Sequence, residues 1–507
     1  MSIKFSPRQI LFGLAPLISA WLIINPGLMD SQHPEIAYTA AIALLMAVWW
    51  MTEIIPLAVT ALIPVALFPL LGIMSGKAVS SVYFNHLIFL FIGGFLVALA
   101  MEKWNLHRRI ALRILLWVGV TPGLILAGFM IATAFLSMWI SNTATTMMMV
   151  PILLSIVGKL EELHSREQVS GMERGLLLGI AYAASIGGVA TLIGTPPNPM
   201  FVRVYKIHFP QAPDISFAQW MAFALPLSLV LLTLAYLYLY FVFVRRSKGG
   251  MKIDKRFIEN EYRSLGPMSY EEKAVLTLFV LLALLWLFRR PIQIGSFRIP
   301  GWSELFAHPG WIKDGNVAML IGILLFLIPA RQTAKSRFLM DWKTAERIPW
   351  GIILLFGGGF ALAEGFKQSG LSVWIGQHLT VLQHIHPLFI LLAVVTTITF
   401  LTELTSNTAT VETFLPILAA LAVAIHINPL FLMIPATIAG SFAFMLPVAT
   451  PPNAIVFGTK RLRIQDMMKA GFWMNIIGII ILTLFAYLWM THVYHIDLHQ
   501  MPAWAQG

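Results

Sequence analysis

Residues 122–158 contain no Asp, Glu, Lys or Arg, yet the polar string Ser141-Asn142-Thr143-Ala144-Thr145 sits among them. A charge-free stretch of this length belongs in a bilayer, where backbone polar groups must be satisfied within the protein. Hydroxyls and an amide in the middle of such a stretch are costly unless something polar visits them. The stretch therefore demands a helical membrane fold with an interruption at the string. The same five residues return as Ser406-Asn407-Thr408-Ala409-Thr410, again inside an apolar run. Each copy is read as the tip of a hairpin that enters the membrane and turns back.

Composition agrees with a polytopic all-α membrane protein. The chain has 507 residues, of which 58% are hydrophobic and 11% charged, with a mean hydropathy of +0.80. There is no cysteine, which excludes disulfides, thiolate metal sites and thiol catalysis. The net charge of +11 is read as cytoplasmic-loop anchoring rather than nucleic-acid binding. No nucleic-acid partner is expected. The apolar run Ile10–Ile24, behind Lys4 and Arg8, lacks a small-residue cleavage site and is read as a first span.

Spans are expected near 9–25, 37–55, 57–72, 84–104, 175–202, 217–244, 274–288, 315–330, 350–370, 430–458 and 468–490. Residues 105–119 form an amphipathic interfacial helix, with His107, Arg108, Arg109 and Arg113 on one face and Leu106, Ile110, Ile114 and Trp117 on the other. The hairpin arms of about 15–18 residues reach only about 23–27 Å, which suits a re-entrant loop. Two later segments carry Gly194-Thr195-Pro196-Pro197-Asn198 and Ala449-Thr450-Pro451-Pro452-Asn453. Adjacent prolines remove backbone donors and disfavour helix before them, so both segments must break.

Three landmarks therefore recur in one order. Phe91-Ile92-Gly93-Gly94-Phe95 is echoed by Phe356-Gly357-Gly358-Gly359-Phe360, and the two string types repeat at offsets of 265 and 255 residues. The spans at 84–104 and 350–370 are the fourth and ninth, an odd separation, so equivalent elements cross in opposite directions. With the N-terminus cytoplasmic and the C-terminus extracytoplasmic, inner segments hold 26 of the 34 Lys and Arg residues. This predicts about 11 transmembrane helices plus two re-entrant hairpins in an inverted repeat.

Broken helices placed symmetrically in inverted halves mark a transporter's midplane site. Carbonyls and Ser, Thr and Asn oxygens suit hard cations. N–H groups freed at a helix start suit carboxylate-like anions. Asn142, with a donor and an acceptor on one amide, can face both. A fixed carboxylate would repel a dianion, whereas co-bound cations offset its charge.

The doubled Ser-Asn-Thr and Thr-Pro-Pro strings, with Trp50-Met51-Thr52-Glu53 near the second span, resemble the divalent anion–sodium symporter family, whose members carry di- and tricarboxylates. The resemblance covers about residues 37–490. It implies sodium-coupled symport of a C4 dicarboxylate such as succinate, malate or fumarate, in an inner (plasma) membrane, by a homodimer working as an elevator. The implied scaffold is 1–120 (with the interfacial arm) and 274–386. The implied transport domain is 121–244 and 387–492, with a cytoplasmic linker at 245–273 and a tail at 493–507. Sodium site 1 would draw on Ser137, Ser141, Asn142 and the Gly194 carbonyl. Site 2 would draw on Thr402, Thr405, Asn407 and the Ala449 carbonyl. Substrate carboxylates would meet Ser141, Asn142 and Thr143 on one side and Ser406, Asn407 and Thr408 on the other, with Thr195, Thr450 and Pro451 lining the rest. A sodium-independent dicarboxylate exchanger, or a symporter of citrate, sulfate or phosphate, remains open.

Charged residues near these strings have plainer expected roles. Glu403 and Glu412 are expected on a wetted face near the outer mouth, and Glu364 is expected to pair with Lys367. The spacing of His378, His384 and His386 matches no common zinc pattern. No His-Glu-x-x-His string or other acid–base constellation points to an enzyme.

Overall fold

The computed structural model describes residues 7–163, 165–245, 255–294, 297–332, 336–494, 496–497 and 500–506. Lys4 and residues 246–254 of the basic linker lie outside them. Helices α1 (Pro7–Ile24) and α2 (Pro34–Thr52) lie side by side, joined by Phe12 stacked on Trp49 at 4.9 Å and by a 2.8 Å bond from Ser19 to the Ala41 carbonyl. The span expected at 57–72 comes as two pieces, α3 (Leu57–Thr60) and α4 (Ile63–Leu70). They are followed by α5 (Gly76–Tyr83) and α6 (His86–Lys103), whose caps Ser75 and Asn85 accept from the first-turn N–H groups of Ala78 and Leu87.

Helix α7 (Leu106–Val118) is amphipathic, but its buried stripe is rotated from the expected one. Leu106, Leu112 and Leu115 are buried together with Arg109, whereas Trp117 is 77% exposed. Arg109 can be buried because Glu272 meets it with both carboxylate oxygens, at 2.8 and 3.1 Å, and the Gly266 carbonyl takes a third bond at 3.0 Å.

The first hairpin is α8 (Pro122–Ser137) and α9 (Asn142–Leu163), and the first broken segment is α10 (Arg166–Val189) and α11 (Pro197–His208). Then come α12 (Phe217–Leu239), α13 (Lys255–Ser264) and α14 (Tyr270–Leu287). The Ser-x-x-Gln and Ser-x-x-Glu signatures at Ser216 and Ser269 close as reciprocal capping boxes that start α12 and α14. A short antiparallel hairpin, β1 (Ile292–Ile294) with β2 (Phe297–Ile299), pairs Ile292 with Ile299.

The chain continues through α15 (Asp314–Leu327), α16 (Trp342–Ala345), α17 (Trp350–Gln368) and α18 (Leu371–Leu379). The second hairpin is α19 (Pro387–Thr402) and α20 (Asn407–Ala424). The second broken segment is α21 (Leu430–Ala439) and α22 (Pro451–Gly458), and α23 (Ile464–Val493) closes the bundle.

Among the described residues, seven apolar helices are long enough to cross a membrane, and six shorter apolar helices of 10–17 residues accompany them. The shorter ones are the hairpin first arms α8 and α19, the broken α21, the outer pieces α1 and α3–α4, and α15, so length alone does not reproduce the expected span count. Large apolar side chains such as Leu17, Phe389 and Leu488, each 63–66% exposed, lie on the outer surface, as a lipid-facing bundle requires.

The two glycine landmarks are close-packing sites. A Cβ on Gly93 of α6 would stand 2.4 Å from the Ala318 carbonyl carbon of α15, and one on Gly358 of α17 would stand 2.5 Å from the Ala61 carbonyl oxygen between α3 and α4. Small residues here let backbones touch, which is how helices gain contact inside a membrane. Each landmark thus packs against the other half of the chain.

Ion pairs fall into two sets. Lys103–Asp341, Arg108–Glu261, Arg109–Glu272, Arg174–Asp466, Arg461–Glu173 and Arg347–Glu102 join only segments assigned to the inner side. Lys206–Asp214, Arg290–Asp214, Lys313–Asp214 and Arg289–Asp314 join only segments assigned to the outer side. Among the described residues no ion pair connects the sets.

Candidate functional site

Four helices begin at the four polar strings. α9 starts at Asn142, α20 at Asn407, α11 at Pro197 and α22 at Pro451. Proline is favoured in a first helical turn, where its missing N–H is not needed. α9 packs against α22, and α11 packs against α20, so each hairpin is held by the broken helix of the other half. Each start leaves N–H groups without intrahelical partners and carries the positive end of the helix dipole.

The two halves repeat the bonds that shape the breaks. The Asn198 amide donates to the carbonyls of Gly188 at 3.3 Å and Thr191 at 2.6 Å. Asn453, 255 positions on, donates to Ala443 and Leu446, both at 3.0 Å, which are also 255 positions on. At the tips, the Ser137 hydroxyl lies 2.6 Å from the Asn142 amide and 2.7 Å from the Ala184 carbonyl. Thr402 lies 2.7 Å from the Asn407 amide and 3.0 Å from the Gly440 carbonyl. A hydroxyl has one proton to give. With the Ser137 proton on Ala184, Asn142 turns its nitrogen to Ser137, which also brings that nitrogen 3.3 Å from the Gly194 carbonyl.

Glycine at 188 and 194 makes room for this gathering of oxygens. A Cβ on Gly194 would sit 2.4 Å from the Gly188 carbonyl oxygen and 2.9 Å from the Ser137 carbonyl oxygen. One on Gly188 would sit 2.5 Å from the end of the Asn142 amide and 3.1 Å from the Gly194 carbonyl oxygen. The Thr191 hydroxyl fixes the loop by donating to Met138 at 2.5 Å and accepting from the Gly194 N–H at 3.1 Å.

The two tips differ in access. Ser141, Thr143 and Gly194 line a cavity of about 310 Å³, together with Pro196, Glu102 and Arg347. Ser406, Asn407, Thr408, Thr450 and Pro451 are not on its wall, and Thr408 is 7% exposed, Thr450 4% and Thr195 3%. Of the expected second cation set, Thr402 and Asn407 are in contact. Thr405 is instead bonded to Thr410 at 2.5 Å and to the Leu401 carbonyl at 2.9 Å, and no hydrogen bond joins it or Asn407 to Ala449 among the described residues.

The wetted position expected for Glu403 and Glu412 is corrected: they are 3% and 0% exposed. Glu403 accepts from the N–H groups of Phe444, Met445 and Leu446 at 2.7, 2.9 and 3.1 Å, and from the Asn475 amide at 2.7 Å. It supplies the acceptors that the second break takes away from its own backbone. At the matching first-half position stands Met138, whose carbonyl is bound by Thr191 instead. The clue available in sequence was three consecutive donors past a helix end, which need an acceptor, and a carboxylate beside the tip. Glu412 sits against Gly359, where a Cβ would come within 2.7 Å of its carboxyl carbon. Its carboxyl oxygens have no hydrogen-bond partner among the described residues. The expected Glu364–Lys367 pair is corrected too. Lys367 donates to the Ile207 carbonyl at 2.8 Å in the last turn of α11, and Gln368 binds Glu364 at 2.9 Å. A helix C-terminal carbonyl without an intrahelical partner competes well with a weak surface ion pair.

Residues 8–496 match the family described as the sodium:sulfate symporter transmembrane region. The chain belongs to this family. The sodium-dependent dicarboxylate transporter SdcS of Staphylococcus saprophyticus is 42% identical over 493 residues, covering 96% of this chain and 92% of that one. SdcS of Staphylococcus aureus strain NCTC 8325 is 45% identical over 467 residues, covering 91% and 88%. Among solved structures, the YdaH transporter of Alcanivorax borkumensis matches with a TM-score of 0.54 at 13% identity, over 94% of this chain and 98% of that one. MtrF of Neisseria gonorrhoeae matches with a TM-score of 0.54 at 11% identity, over 92% and 97%. These two likenesses show the fold alone. A sodium:sulfate symporter family member with such relatives is a multi-pass membrane transporter and not an enzyme.

Proposed function

We propose that this member of the sodium:sulfate symporter family takes up C4 dicarboxylates such as succinate, malate and fumarate by sodium-coupled symport. The observation that carries the reading is the cradle of neutral groups at Gly188 and Gly194, built beside a helix N-terminus. Neutral oxygens suit sodium, and the helix start suits a carboxylate. The names of the SdcS relatives support the choice of cargo.

In this mechanism one sodium ion is held by Ser137, Ser141, Asn142 and the Gly194 carbonyl, with the Asn142 amide turning its oxygen toward the ion. A second is held by Thr402, Asn407 and the Ala449 carbonyl, with Thr405 turning away from Thr410 to join them. Sodium entry places positive charge beside the starts of α9 and α20, and the dianion is then held by Ser141, Asn142 and Thr143 and by Ser406, Asn407 and Thr408. Thr195, Thr450 and Pro451 close the remaining sides.

The matched bonds of the two breaks, the reciprocal packing of α9 with α22 and α11 with α20, and the two separate ion-pair sets all support an inverted repeat with about 11 spans. The bias of Lys and Arg toward one set of loops favours a cytoplasmic N-terminus and an extracytoplasmic C-terminus in an inner membrane. Residues 1–120 and 274–386 then form the scaffold of a homodimer, past which 121–244 and 387–492 slide as an elevator.

The test is succinate uptake into proteoliposomes, driven either by an inward sodium gradient or by preloaded dicarboxylate. Sodium-driven uptake without preloading is expected. Uptake that needs preloading and ignores sodium would make the protein an exchanger. Sodium-driven flux of sulfate but not succinate would replace the cargo.

A further inference from the structure

The residue pair Arg347 and Glu102 stands at the edge of the site without a role in the scheme above. Both line the cavity of about 310 Å³ that reaches Ser141, Thr143 and Gly194. Both also line an adjoining cavity of about 370 Å³ that reaches the same tip and adds His107. The Nδ1 of His107 is engaged by its 2.9 Å contact with the Met101 carbonyl. Arg347 is the permanently charged cation on these walls, since a guanidinium does not lose its proton in proteins. Its side chain is 56% exposed and its guanidinium is bonded to the Glu102 carboxylate.

An exposed pair of this kind adds about 0–1 kcal/mol to stability, too little to explain it as a brace. A guanidinium can bind a carboxylate by a planar fork, whereas Glu102 holds Arg347 through one Nη2–Oε1 bond, which leaves further donors of the fork for a dicarboxylate end. The topology proposed above puts the segments of both residues on the inner side, which makes the cavity they share with the first tip the inner mouth.

We propose that Arg347 receives the dicarboxylate at the inner mouth, where one substrate carboxylate displaces Glu102 from the guanidinium. As the anion leaves for the cytoplasm, Glu102 takes the guanidinium back and keeps the empty mouth from holding it. The exchange of one carboxylate for another costs no net charge, so release stays reversible. Glu102 is in the last turn of α6 and Arg347 in the loop before α17, whereas Ser141 and Thr143 ride on the hairpin. Arg347 therefore serves the substrate on the inner face alone. This inference rests on the dicarboxylate symport proposed above.

The chain has no cysteine, so one introduced cysteine on a terminal residue reports which way each reconstituted protein faces. Half-saturating succinate is measured from each face for the parent, Arg347→Gln, Arg347→Lys and Glu102→Gln, with melting temperatures alongside. Arg347→Gln is expected to raise the inner-face value about tenfold, the effect of losing one charge-assisted bond, and to leave the outer-face value unchanged. Arg347→Lys should recover part of the loss, and Glu102→Gln should lower the inner-face value. Equal shifts on both faces, or no shift with only a lower melting temperature, would overturn the inference while leaving symport intact. A parent that shows no sodium-driven succinate flux would overturn both.

Discussion

Gly194→Ala puts a methyl group where the structure leaves space for oxygens. The added carbon would lie 2.4 Å from the Gly188 carbonyl oxygen and 2.9 Å from the Ser137 carbonyl oxygen. Carbon–oxygen contacts open at about 3.3 Å, so these oxygens must retreat by about 0.9 and about 0.4 Å. Both are backbone atoms and cannot swing aside as a side chain would. A functional constellation tolerates displacements of about 0.5 Å, so the cradle is spoiled. Overpacking of this kind costs about 1–3 kcal/mol. If that cost falls on the sodium-bound state, apparent sodium affinity drops about 5- to 150-fold. The control is Gly158→Ala in α9, where the added carbon meets nothing within 4 Å and the change should be neutral or slightly stabilising. The assay is a sodium titration of succinate uptake, with size-exclusion profiles to confirm that both variants fold. A Gly194→Ala protein that keeps the parent's sodium half-saturation would refute the cradle, and so would equal losses in both variants.

Three further outcomes follow from other contacts. Thr143→Ala, on the wall of the cavity, should weaken apparent succinate affinity more than sodium affinity in the same uptake assay; the reverse order would move Thr143 to the cation. Arg109→Ala should destabilise by about 3–5 kcal/mol, because Glu272 is left buried and unpaired, and a melting-temperature series can read the loss. Although partial burial pushes the Asp214 carboxyl up, bonds from Lys313 and Lys206 outweigh it and hold the carboxyl well below its usual value. A group depressed in this way stabilises the folded state above its unfolded pKa of about 3.9, and the contribution fades as pH falls below that toward the folded value. The parent should therefore lose melting temperature more steeply than Asp214→Asn below about pH 4; parallel curves would show that the cluster does not contribute.

Local chemistry made much of the architecture legible. Two copies of one polar string in apolar runs marked the hairpins, and two Pro-Pro pairs marked the breaks to within a residue of where α11 and α22 begin. The proline signal works because it acts on its own backbone. What sequence did not disclose was long-range. Glu403 finds its partners 41 to 72 residues away, and Arg109 finds Glu272 at a separation of 163, so their burial could not be inferred from neighbours along one helix. Lys367 was misassigned for the same reason, because its acceptor lies on α11 rather than one turn along α17. The unequal access of the two tips was hidden as well, since the two strings are identical and only their surroundings differ.

A density map of the protein prepared with succinate and sodium tests the central claim most directly. The account predicts one dianion between residues 141–143 and 406–408, with a cation beside Asn142 and the Gly194 carbonyl, and no anion density when sodium is replaced by potassium. Anion density that touches neither string, or that persists unchanged without sodium, would contradict it.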